Sequence, residues 1–123
     1  MIMNNFKIGL AALALVSANS IAGECTIPDI PELPDGGSAT MEQMLEGQKS
    51  IKAFQTANLE YMSCLDPLIA AAAEAANADS ASDEDKAAVK QLEEKYNTAV
   101  SVEEDLAGQF NTEIREYKAA NPG

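Results

Sequence analysis

Cys25 and Cys64 are the only thiols in this 123-residue chain, and their chemistry depends on the compartment. In an oxidising space a lone pair of cysteines is a disulfide by default. As a redox couple they lack the usual equipment, because they are far apart in sequence and neither is flanked by a basic group that would stabilise a thiolate. Met41 and Met44 place two thioethers on adjacent helical turns, a spacing open to soft Cu(I). Two sulfurs without a third soft ligand make a poor site, however, and packing of both at the base of a helix pair is the plainer expectation. Carboxylates gather at Asp83-Glu84-Asp85, Glu93-Glu94 and Glu103-Glu104-Asp105. Consecutive helical residues diverge by about 100°, so these groups fan out over a solvated face and do not converge on a cation. Paired carboxylates for glycoside chemistry fail as well, since no aromatic set accompanies them to shape a pocket.

Histidine and tryptophan are absent. Histidine-ligated haem, a conventional catalytic zinc site and Ser–His–Asp or Cys–His machinery therefore cannot be assembled. No catalytic residue, cofactor or resident metal is expected, and the chain does not read as an enzyme. Twenty acidic residues face eight basic ones, a net charge of −12. Such a surface repels nucleic acid and anionic lipid and offers no basic patch for either.

Residues 1–22 read as a secretory signal peptide. Lys7 supplies the positive n-region, Ile8–Val16 the apolar run, and Ser20 and Ala22 the small residues before cleavage. About nine apolar residues are too few to cross ~30 Å of hydrocarbon. Glu24 stands between Gly23 and Cys25, which argues against a lipidated cysteine. Loss of residues 1–22 removes Lys7 and no acid, leaving seven bases against twenty acids, a net charge of −13. The expected product is a single small periplasmic or secreted domain of about 100 residues with no integral membrane segment.

From Thr40 onward the apolar period is helical. Thr40-Met41-Glu42-Gln43 matches a capping box, and steps of three and four place Met44, Gly47, Ile51, Phe54, Asn58, Tyr61, Leu65, Leu68 and Ala72 on one face. A second helix starts at Ser82, with acids at its positive end. Its face reads Val89, Leu92, Tyr96, Ala99, Val102 or Glu103, Leu106, Phe110, Ile114 and Tyr117. Helices over about 41–78 and 83–119, each about 55 Å long, joined by four residues, predict an all-α fold: an antiparallel two-helix hairpin spanning 40–120. Pro67 is the one internal breaker, and a kink or a short break is expected near Ser63–Pro67.

Ahead of the hairpin, residues 23–39 have a period of their own: Ile27-Pro28-Asp29, Ile30-Pro31-Glu32, Leu33-Pro34-Asp35. Proline at every third position favours polyproline II, which sets Ile27, Ile30 and Leu33 along one edge. Cys25 to Thr40 spans ~46 Å in that form, and Thr40 to Cys64 spans ~36 Å as helix. With a turn at Gly36-Gly37 the arm can run back along the first helix and join Cys25 to Cys64, laying its apolar edge across the lower half of the hairpin. Asn58, with Gln48 and Gln55 near it, puts amides on or beside the seam. A buried asparagine there is expected to fix register at a cost in stability, so that Asn58→Leu would raise it. The upper half has only alanines to cover Leu68, Ile69, Val89 and Leu92, which marks those four as a candidate interface.

Cys25, Ile30-Pro31, Leu33-Pro34-Asp35-Gly36, Ala39-Thr40, Met44, Gln48, Ile51-Lys52-Ala53-Phe54, Tyr61, Cys64-Leu65, Tyr96-Asn97, Phe110-Asn111 and Tyr117-Lys118 together resemble an uncharacterised family of small exported, single-disulfide helical proteins of Gram-negative bacteria. The resemblance spans the mature chain and implies a periplasmic location and one disulfide. It implies no activity, ligand or catalytic residue. The expected role is non-enzymatic: contacts with an unknown protein partner, with a second copy or with the envelope. A chaperone-like binder of clients is the alternative, and a metal or small-ligand carrier a more distant one.

Overall fold

In the computed structural model, which describes residues 24–123, two long helices account for all regular secondary structure: α1, Met41–Asn77, and α2, Asp83–Ala120. The signal-peptide reading of residues 1–22 lies outside the described residues. Both helices open on reciprocal caps. The Gln43 N–H donates to Thr40 Oγ1 (3.1 Å) and the Thr40 N–H to Gln43 Oε1 (2.8 Å). At α2 the Ser82 N–H donates to Asp85 Oδ2 (2.9 Å) and the Asp85 N–H to Ser82 Oγ (3.1 Å). Each box satisfies two donors that a helix start would otherwise leave open.

α1 runs unbroken through Pro67. Proline removes the hydrogen bond to Ser63, four residues earlier. Ser63 and Pro67 are both exposed, so water can satisfy the freed carbonyl and the helix continues.

The seam of α1 is the one its period requires: Met44, Gly47, Ile51, Phe54, Asn58, Tyr61 and Leu65 are buried. On α2 burial is complete only at Ala99, Leu106 and Phe110. The core divides in two. Met44, Ile51, Phe54, Leu106 and Phe110 form a lower cluster, flanked by Leu33 and Ala39 from the segment before α1. Tyr61, Leu65 and Ala99 form an upper one, flanked by Cys25, Met62, Ile69, Leu92 and Tyr96. Beyond Leu65 the seam thins into the alanines of residues 70–76, and no residue there is fully buried. Two helices alone bury too little to be robust, and the segment before α1 supplies part of what is missing.

Candidate functional site

Residues 24–39 are fixed to the hairpin at two places. One is covalent: Cys25 and Cys64 form a disulfide with Cα atoms 5.8 Å apart. The other is built from Leu33 to Gly37. Leu33 packs on the lower cluster, and the Pro34 ring lies against Gly47, where a Cβ would come within 2.7 Å of Pro34 Cδ and 3.2 Å of Phe110 Cε1. Gly47 is the residue that lets segment and helix approach this closely. At the turn the N–H of the buried Gly36 donates to Glu113 Oε1 (2.8 Å). The Ser38 and Ala39 N–H groups close the turn on the Asp35 carbonyl at 3.0 and 2.8 Å. A Cβ on Gly36 would collide with the Glu113 backbone carbonyl, so α2 fixes that residue too.

Between the two anchors the segment stands off. Ile27 is 67% exposed and Ile30 57% exposed, although Leu33, next on the same edge, is packed. Laying that whole apolar edge onto the helices was the expectation from its three-residue period; only Leu33 arrives. Ile27, Pro28 and Ile30 instead wall a cleft of about 410 Å³. Its floor is formed by the buried Phe54, Asn58, Tyr61 and Ala99, and its far wall by Gln91, Glu94, Lys95, Thr98 and Val102. Those wall residues recur at helical spacing, so one face of α2 looks across the cleft at the segment.

Asn58 sits in this floor, 2% exposed. Its Nδ2 donates to the Ala99 backbone carbonyl (3.0 Å) and to Glu103 Oε1 (2.9 Å). No buried side-chain nitrogen or oxygen among the described residues lacks a partner. The amide is thus bonded across the seam to a specific pair of acceptors, one of them charged. This reverses the sign expected for Asn58→Leu, because the substitution would strip a half-buried carboxylate of its donor. With both N–H groups committed, the atom that Asn58 can still offer to a ligand is the acceptor Oδ1.

The remaining sequence candidates disperse. Leu68, Ile69, Val89 and Leu92 are all half-buried, and Ile69 and Leu92 pack against the upper cluster. The premise that these four lie wet does not hold, because the hairpin's own seam covers much of each. Met44 is core, whereas Met41 is 59% exposed, so the two sulfurs do not share a packed base. Neighbouring helical positions here point to different environments. The acid runs are also not one solvated face. Asp85 caps α2, Glu94 walls the cleft and Glu103 holds Asn58.

Asp35, Glu113 and Glu116 bring carboxylate oxygens within 4.8 Å of one another, a grouping the sequence reading missed because it joins the turn to the far end of α2. Glu113 beside it holds the Glu116 carboxyl above its ordinary value. Desolvation, a hydrogen bond to Glu113 and the charge of Asp35 act the same way, and Arg115 opposes them.

Comparison with protein families, with curated proteins and with solved structures finds no match. Among the described residues no helix is long and apolar enough to cross a membrane.

Proposed function

We propose that this chain is a non-enzymatic binding module of the extracytoplasmic space, and that the cleft between residues 25–34 and the hairpin receives an apolar segment of another protein. The observation that carries this is the pair of exposed isoleucines held over an apolar floor. Large aliphatic side chains gain about 1.5–3 kcal/mol on full burial, so covering Ile27 and Ile30 would return roughly 2–4 kcal/mol to a partner.

Residues 25–34 act in this proposal as an extended, polyproline strap. Gly47 and Cys64 lie about 26 Å apart along α1, and nine links of polyproline II reach about 28 Å. A strap that taut cannot sink between the helices, which accounts for the wet isoleucines. The disulfide favours an oxidising compartment, in keeping with cleavage of a leader after Ala22 and with the resemblance to small exported proteins of Gram-negative bacteria. Leu68, Ile69, Val89 and Leu92 are the weaker candidate surface, being half-covered already.

A small-ligand carrier is the second reading, favoured by the cleft volume of about 410 Å³, which falls within the ~300–1,000 Å³ common to ligand pockets. Titration with Nile red, an uncharged apolar dye, tests the cleft itself. Saturable binding that Ile27→Asp with Ile30→Asp abolishes, at unchanged helicity, is the expected result. No binding, or binding indifferent to both substitutions, would refute the cleft.

A further inference from the structure

We infer that the partner segment is cationic as well as apolar: a short stretch that combines aliphatic side chains with lysine or arginine. The inference rests on the cleft reading above and assigns its ligand chemistry.

Within the cleft lining Glu94 and Lys95 balance, and the excess of negative charge comes from the immediate surroundings. Glu94 stands in its far wall and Asp29 lies on the strap between Ile27 and Ile30. Past Pro28 and Tyr61, which border both spaces, an adjoining hollow is lined by Glu24 and Glu60. Among the described residues Lys95 is the only cation in the lining of either space. Asn58 has spent both donors on α2, so it and Glu94 offer acceptors, whereas Gln91, Thr98 and Tyr61 can donate or accept. Apolar walls with an excess of acids around them match an apolar segment that brings positive charge, and they repel an acidic one. The excess of twenty acids over eight bases in the whole chain draws such a segment in from a distance that salt shortens.

The test uses the purified, disulfide-bonded protein and fluorescein-labelled peptides of twelve residues. One is built from leucine and lysine at helical spacing; a twin carries glutamate for every lysine; a third is lysine and glycine without leucine. Anisotropy should show saturable one-to-one binding of the first, at least about tenfold tighter than of either control. Ile27→Asp with Ile30→Asp should weaken it by roughly tenfold or more even though two negative charges are added. Glu94→Lys should weaken it several-fold at 20 mM salt and much less at 500 mM, where screening has shortened to a few ångströms, on the order of 4–5 Å.

Equal binding of the glutamate twin would overturn the cationic assignment and leave the cleft standing. Binding that the isoleucine substitutions leave unchanged or strengthen would reveal diffuse attraction and overturn the inference. Failure of the leucine–lysine peptide while Nile red still binds refutes the partner chemistry alone; failure of both refutes the cleft as well. A dimer in sedimentation that the isoleucine substitutions dissolve would make a second copy the occupant and overturn the inference too.

Discussion

Asn58 is where the structure makes its sharpest energetic demand. Asn58→Ala removes a hydrogen bond to a neutral carbonyl, worth about 1 kcal/mol net, and one to a carboxylate, worth about 1.5–3 kcal/mol. Glu103 is only half-buried, so water can partly replace the lost donor and the upper end of that range does not apply. The loss should therefore be about 2–3 kcal/mol. Since each kcal/mol moves the midpoint of a domain this size by roughly 4–8 °C, Tm should fall by about 10–20 °C. Urea unfolding of Asn58→Ala, Glu103→Ala and the double variant, followed by far-ultraviolet circular dichroism, separates the pair from the rest. The two substitutions should be non-additive by about 1–2 kcal/mol, because each already removes the bond they share. Asn58→Leu should escape its penalty only when Glu103→Leu accompanies it, as replacing both partners by apolar groups can be nearly neutral or stabilising. A loss below about 1 kcal/mol for Asn58→Ala, or strict additivity, would refute this reasoning.

Further outcomes concern the anchors of the strap and residues of α2. Cys64→Ser, or reduction, opens a loop whose ends are 39 residues apart and should cost about 4 kcal/mol in the chain-entropy model; helicity at low temperature should persist while residues 27–33 become protease-sensitive. Gly47→Ala should destabilise the fold despite its better helix propensity, because its methyl meets the Pro34 ring. Gly108→Ala, with open space around its Cβ, should instead gain up to about 1 kcal/mol, and paired urea midpoints read both. Glu116 is held above its ordinary value chiefly by Glu113, so its protonated form is favoured by the fold. That stability is present at low pH and is lost as pH rises through the raised value. Urea midpoints on either side of the carboxylate range should therefore differ less in Glu116→Gln than in the unmodified protein.

The seam was the most legible part of the chain, since its apolar residues recur at helical spacing and both helix starts carry caps. Asn58 was readable as buried, and the hairpin register carried a signal for its partners. A link centred on Ser80 sets residue i opposite about residue 160 − i in an antiparallel hairpin, which brings Asn58 to Val102 and Glu103. The cleft was not legible. A three-residue period tells which edge Ile27, Ile30 and Leu33 share, but not how far above two helices a taut segment rides. That height is set by Gly47 and Gly36 at one end and by the disulfide at the other, over contacts between residues up to 77 positions apart. The Asp35–Glu113–Glu116 grouping was hidden for the same reason.

Backbone amide shift mapping, with the leucine–lysine peptide added to isotopically labelled oxidised protein, tests the binding site most directly. Perturbations should concentrate at Ile27 and Ile30 on the strap and at Glu94, Thr98 and Val102 on α2, and should saturate together. Perturbations centred on Leu68, Ile69, Val89 and Leu92, or spread evenly over the acidic surface, would contradict the cleft as the place where this protein makes its contacts.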